Sequence, residues 1–125
     1  MASPTTILIS DPDPLTLTSL ARHGRSMGLS VLTDICCDVV SLAERYRPST
    51  IVLELKQRVN GCDLVSQLRR NPVSRNARIV VFSAVLDPVT RQTCMALGAD
   101  DYIIKPARSE TVIARAAELA RFTRA

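Results

Sequence analysis

The sequence predicts a doubly wound α/β domain, (βα)5, with a five-stranded parallel sheet between two layers of helices. Three observations predict it. Five short apolar runs alternate with five segments of helical periodicity along the chain. Three of the runs are almost continuously aliphatic, as parallel strands covered on both faces are. Strand–helix–strand units of this length connect by right-handed crossovers, which place helices on both faces of one sheet. The length of 125 residues suits one core and leaves no room for a second. With 46% hydrophobic and 22% charged residues the chain is too apolar to be disordered.

The first strand is Thr6-Ile7-Leu8-Ile9-Ser10. Asp13 then stands as an N-cap, with Pro14 at the first helical position, where its missing N–H matters least. Leu17, Leu20 and Met27 form an inward stripe on this helix, and Gly28 stops it. Leu29 to Thr33 is the second strand and the region from Cys36 to Arg45 the second helix. Thr50 to Glu54 is the third strand, and a third helix from Cys62 to Arg70 ends at Asn71-Pro72. Arg78 to Ser83 is the fourth strand. Asp87-Pro88 opens a fourth helix whose Met95 and Leu97 face inward before Gly98 ends it. Asp101 to Ile104 is the fifth strand, and the helix from Ser109 to Arg121 puts Val112, Ile113, Ala116, Leu119 and Ala120 on one side. The folded domain is expected over residues 5–121, with frayed ends at 1–4 and 122–125.

Composition narrows the function. No apolar run approaches the roughly 18 residues of a membrane span, and Met1-Ala2-Ser3-Pro4 has no secretory pattern, so a cytoplasmic protein with no membrane partner is expected. Cys36, Cys37, Cys62 and Cys94 lack metal-type spacing and read as small, mostly buried thiols. The net charge of +4 comes from fourteen arginines and two lysines scattered over the chain. Nucleic-acid binding wants a concentrated basic stripe, so a solvated surface or an acidic protein partner is the better reading.

Ligands of open α/β sheets sit at the carboxyl ends of the strands. Four polar residues stand there: Asp11 after the first strand, Glu54 at the third, Ser83 at the fourth and Lys105 after the fifth. Two carboxylates, a hydroxyl and an ammonium at one rim suit a divalent cation or a phosphoryl group, the acids taking the cation and Ser and Lys the anionic oxygens.

The runs Ile7-Leu8-Ile9-Ser10-Asp11, Ile51-Val52-Leu53-Glu54, Val80-Val81-Phe82-Ser83-Ala84 and Gly98-Ala99-Asp100-Asp101-Tyr102-Ile103-Ile104-Lys105-Pro106 carry a family resemblance. In this order they resemble the landmarks of the response-regulator receiver domain of two-component phosphorelay systems, over residues 5 to 121; the last run is the most specific. The resemblance implies a flavodoxin-like three-layer sandwich. It also implies phosphoryl transfer from a histidine kinase to an aspartate ending the third strand, with Mg²⁺ held by that aspartate and an acidic pair after the first.

This sequence departs from that pattern. Glu54 occupies the acceptor position, and Pro12, which has no side-chain ligand, stands where the second metal-binding acid is expected; Asp13 lies one place too far along. The loop Leu55-Lys56-Gln57-Arg58-Val59-Asn60-Gly61 lacks the family's Pro-Gly. Glutamate places its carboxylate about a bond length further out, enough to disturb in-line attack. Mg²⁺ demands near-ideal octahedral oxygen ligation, so metal binding by Asp11 is expected to be weak or lost, and no cofactor is expected. Glu54 nevertheless holds a permanent charge of about −1, against about −1.5 to −2 for a phosphate monoester.

The expected function is a non-enzymatic, atypical receiver-like module, a pseudo-receiver, acting by protein contacts without conventional aspartate phosphorylation. Glu54 paired with Lys105 is equally readable as an inherited ion pair, and Ser83 as a local strand-end cap. The resemblance makes Lys105–Pro106 a cis bond, and Tyr102 the aromatic that couples the site to the face of the fourth helix, fifth strand and fifth helix. Arg91, Arg108, Arg115 and Arg121 would line that face, for a histidine kinase, phosphotransfer protein, output domain or second copy. His23, the only histidine, reads as a surface residue. Two alternatives stand: a receiver still phosphorylated at Glu54, with Mg²⁺ on Asp11 and Asp13, or a flavin- or nucleotide-binding enzyme on the same architecture. Asp-Pro-Asp-Pro after the first strand, and the absence of a glycine-rich phosphate loop, speak against the second.

Overall fold

The computed structural model of the chain describes residues 5–35, 38–57 and 59–122. The elements run β1 (Thr6–Ser10), α1 (Pro14–Ser26), β2 (Ser30–Asp34), α2 (Val39–Tyr46), β3 (Thr50–Leu53), α3 (Gly61–Arg70), β4 (Arg78–Ser83), α4 (Pro88–Leu97), β5 (Asp101–Ile104) and α5 (Ser109–Ala120). All neighbouring strands are parallel, in the order β2-β1-β3-β4-β5. The order reverses between β1 and β3, which makes the carboxyl ends of those two strands the crevice in which such sheets place their sites.

Side chains alternate across the pleat, so each central strand feeds two cores. Leu8, Ile51, Leu53, Ile79 and Val81 join Val39, Ala43, Leu64, Val65, Leu68 and Cys94 on the side of α2, α3 and α4. Ile7, Ile9, Val52 and Phe82 meet Leu17, Leu20, Ala21, Val112, Ile113 and Ala116 on the side of α1 and α5. The strands expected to be central are therefore almost continuously apolar because both faces are covered.

Caps explain most boundaries. Asp13 accepts from the amides of Leu15 and Thr16 and precedes Pro14; Asp87 accepts from Val89 and precedes Pro88; Asn60 accepts from Cys62. Gly28 and Gly98 follow α1 and α4 with φ of 81° and 119°, a region costly for any other residue. Several expectations need correction. Met27 is the C-cap of α1 and is exposed, because Gly24 and Ala21 fill that stretch of the interface. In α4 Cys94, not Met95, turns inward: Met95 is exposed and Leu97 only half-buried, since this helix buries a narrow stripe. β2 lies one residue later than expected, and α2 begins at Val39 behind Asp38. Leu119 and Ala120 are half-buried in the last turn of α5.

Cys36 and Cys37 lie outside the described residues, as do the ends 1–4 and 123–125. Phe122 has an exposed side chain, but its carbonyl accepts from the Arg78 guanidinium at 2.9 and 3.1 Å. Among the described residues, no helix is long and apolar enough to cross a membrane.

Candidate functional site

Strand register brings the site together. Ser10 pairs with Leu53, so the next residues, Asp11 and Glu54, leave the sheet side by side, with the Glu54 amide bonded to the Ser10 carbonyl at 3.0 Å. Ser83 pairs with Ile104, and the Lys105 amide donates to the Ser83 carbonyl at 2.9 Å, which aims the lysine back across the rim. Its Nζ donates to Asp11 Oδ2 and to Glu54 Oε1, both at 2.8 Å, and lies 5.3 Å from the Phe82 ring centre. The Lys105–Pro106 peptide is cis.

The carboxylates are nearly inaccessible, with side-chain exposures of 4% for Asp11 and 7% for Glu54, against 20% for Lys105. Burial works against ionisation of Glu54. Hydrogen bonds from Lys105, Ser83 and the Lys56 amide, with the charge of Lys105, outweigh it and hold the carboxyl below its ordinary value. Burial likewise opposes the Lys105 charge, but bonds to Asp11 and Glu54 reverse the balance and raise its pKa. The pair is therefore fully ionised at neutral pH.

A strand-end acid pair bridged by a lysine, on a sheet of this order, narrows the family, and the sequence match decides it: response regulator receiver domains match over residues 7–117. This chain belongs to the response regulator receiver domain family. The receiver is similar to the transcriptional regulatory protein PrrA of Mycobacterium tuberculosis, 32% identical over 117 residues, 92% of this chain and 49% of the relative. It is also similar to the response regulator MprA of Mycobacterium sp. (strain KMS), 32% identical over 122 residues, 96% of this chain and 52% of the relative. The chain thus spans about half the length of these curated relatives. Its fold is similar to a CheY-like receiver domain protein from Methanospirillum hungatei, with a TM-score of 0.88, 18% identity and 95% of each chain covered. It is similar too to a response regulator from Burkholderia pseudomallei whose structure carries a phosphorylated aspartic acid, with a TM-score of 0.80, 25% identity, 94% of this chain and 71% of that chain covered.

The donor set of this receiver fits the Mg²⁺ of such a site poorly. Each of the four carboxylate oxygens at the rim already has a donor: Asp11 accepts from the Asp13 amide at 2.9 Å and from Lys105, Glu54 from the Lys56 amide at 3.1 Å and from Lys105. Pro12 is exposed and offers nothing. Asp13 is occupied at the start of α1, where it accepts from Thr16 Oγ1 at 2.6 Å. Two acids sharing one ammonium do not make an octahedral oxygen site.

Ser83 is fully buried; its hydroxyl helps to lower the Glu54 pKa and accepts from the Val85 amide at 3.3 Å. Tyr102 points inward, and its hydroxyl donates to the Val85 carbonyl at 2.7 Å. Arg91 lies over the Tyr102 ring, 6.0 Å from its centre, and is exposed. Arg115 is tied to Asp101 at 2.7 Å, and Arg108, which is exposed, to Glu110 at 3.0 Å. Exposed Leu86, Val89 and Met95 accompany them in the β4–α4 connection and in α4. His23 is half-buried on α1, 3.9 Å from Glu110.

Sequence reasoning missed a polar support beneath the site. Ser10 Oγ donates to Asp34 at 2.8 Å, and Gln57 Nε2 donates to Ser10 Oγ at 3.0 Å and to the Glu54 carbonyl at 2.9 Å. Ser10 and Asp34 end adjacent strands in register, which is the signal that could have found them. Gln57 comes from a loop and left no such signal. Its amide lashes the turn after Glu54 back onto β1.

Proposed function

We propose that this receiver works by protein–protein contact without conventional aspartate phosphorylation, with Glu54 as a fixed anion at the acceptor position. The observation that carries the reading is the Lys105 ammonium held between Glu54 and Asp11 at 2.8 Å from each. The lysine that would meet a phosphoryl oxygen is already engaged by a side chain that is always charged near neutral pH. The missing ligand at Pro12 and the capping role of Asp13 support the same reading. A carboxylate ester at Glu54 would also have to form behind a side chain with 7% exposure.

On this reading the module is not an enzyme. Its partner is a histidine kinase, a phosphotransfer protein or an output domain, engaged, as a second copy would be, through the face of α4, β5 and α5 that carries Arg91, Tyr102, Arg108 and Arg115. Relatives of about twice its length are transcriptional regulators, which makes an output domain a natural partner.

The test is an amide NMR titration with Mg²⁺ and then beryllofluoride, a mimic of a bound phosphoryl group. The reading requires silence at Asp11, Glu54, Ser83, Tyr102 and Lys105. Saturating shifts there, spreading into β5 and α5, would overturn it and establish an atypical but working acceptor site.

A further inference from the structure

We propose that Cys62 and Cys94 form a reversible disulfide that ties the start of α3 to α4, with a low-molecular-weight disulfide as the oxidant. The inference stands apart from the role of Glu54. Its first support is distance: the two free thiols lie with their sulfurs 2.9 Å apart. A disulfide bond of about 2.05 Å requires the sulfurs to approach by only about 0.9 Å. Both side chains come from anchored backbone. Asn60 caps α3 by accepting from the Cys62 amide at 2.8 Å, and Cys94 is wholly buried within its core cluster.

The second support is access. Cys62 is half-buried and lines an open cleft of about 260 Å³ together with Leu55, Lys56, Asn60, Val85 and Thr90. Cys94 has no exposed surface, and burial, with its hydrogen bond to Cys62, pushes its thiol up to about 12. The two therefore take different parts in exchange. The Cys62 thiolate attacks one sulfur of R–S–S–R, forming Cys62–S–S–R and releasing RS⁻, which takes up the proton Cys62 lost. Cys94 then attacks Cys62 Sγ; the Cys62–Cys94 bond forms, the bond to R breaks, and the departing thiolate takes the Cys94 proton. Two protein thiols are oxidised and one small disulfide is reduced to two RSH.

The consequence is mechanical. Cys62, Val85 and Leu55 pack with Cys94 and Tyr102 in one cluster. A covalent tie there fixes α4 against α3 beside the aromatic whose hydroxyl holds the Val85 carbonyl. Oxidation would then restrict the α4 surface through a route that needs no phosphoryl group.

The experiment equilibrates the full chain with glutathione buffers from fully reduced to fully oxidised, followed by acid quench, alkylation and tryptic mapping. Cleavage yields a 59–69 peptide with Cys62 and a 92–108 peptide with Cys94, because Lys105 precedes a proline. Both alkylated peptides should disappear together and be replaced by one conjugate lighter by two hydrogens than the sum of the two unalkylated peptides, with full recovery in dithiothreitol. In Cys94→Ala, Cys62 should stop at the glutathione adduct; Cys62→Ser, at a half-buried position, should leave Cys94 alkylated after unfolding in every buffer. Persistence of both alkylated peptides in the wild-type chain under full oxidation, a glutathione adduct at Cys62 without cross-link, or linkage only to Cys36 or Cys37 would each overturn the proposal.

Discussion

Replacing Lys105 by methionine removes the cation that bridges two buried carboxylates. Asp11 and Glu54 would be left with side-chain exposures of 4% and 7%, and their mutual repulsion would no longer be offset. Breaking a buried pair costs about 3–5 kcal/mol, because the surviving charge stays desolvated; the 20% exposure of Lys105 places this case at about 3 kcal/mol. For a chain of this size that is a fall in Tm of roughly 12 °C. Urea denaturation across pH tests the cause as well as the size. In the wild type the Glu54 pKa is depressed, so its contribution is present above the unfolded-state value and lost as pH falls through the folded one. The Lys105 pKa is raised, so its contribution is present below the unfolded lysine value and lost as pH rises through the folded one. Both contributions are therefore in place between about pH 5 and pH 10. In Lys105→Met, burial of Glu54 acts with its main counterweight gone and moves its pKa above the unfolded value. The variant's deficit should be largest near neutrality and narrow toward about pH 4, and adding Glu54→Gln should recover part of it. A deficit below about 1 kcal/mol, the ordinary value of an exposed pair, or one that is the same at both pH values, would refute this account.

Three further outcomes are expected. Gly61→Ala would drive a Cβ into Leu55 Cα, a backbone atom that cannot swing aside, and should lower stability by about 1–3 kcal/mol in urea unfolding; a change within about 0.5 kcal/mol would mean that the turn relaxes freely. Asp100→Asn would leave Arg69 and Arg78, which now donate at 2.8 and 3.1 Å, facing a neutral amide; a loss of about 3 kcal/mol is expected, and an unchanged urea midpoint would show that the pair of arginines tolerates it. Glu54→Asp, incubated with a small-molecule phosphodonor and Mg²⁺, should take up no more label than the wild type, since Pro12 still supplies no ligand; robust Mg²⁺-dependent labelling would show that the second acid is dispensable.

The fold was legible because its signals are local and agree with one another. Aliphatic runs such as Ile7-Leu8-Ile9 fill both faces of a covered sheet, and Asp13-Pro14, Asp87-Pro88, Gly28 and Gly98 punctuate the helices by backbone chemistry alone. Which side of a short helix turns inward was less legible. Met95 is large and apolar, yet α4 buries Cys94, because a helix docked by a narrow stripe buries what its rotation dictates. The positions of Asp11, Glu54, Ser83 and Lys105 could be read from strand ends, since register alone makes them neighbours. The Gln57 contacts depend on how one loop settles, and the sulfur pairing of Cys62 with Cys94 depends on the rotation of two helices; no spacing within the sequence encodes either.

One path in the molecule joins the fixed charge to the face that partners would use. Ser83 helps to lower the Glu54 pKa, its hydroxyl accepts from the Val85 amide, and the Val85 carbonyl accepts from Tyr102, beneath Arg91. Spatial continuity is not coupling: a path transmits only if one of its members has two arrangements that both ends bias. On the proposed reading Tyr102 is the member that would have that freedom, since a single hydroxyl bond, worth about 1 kcal/mol net, the Arg91 contact and burial of the ring hold it inward. Glu54 differs from a transferred phosphoryl group in being present in every copy of the protein. On the proposed reading it therefore cannot carry information; it can only set where the Tyr102 equilibrium rests. Any signal must come from something that changes, and the two candidates on this structure are a partner bound over Tyr102 and Arg91, and the thiol pair packed behind the same ring.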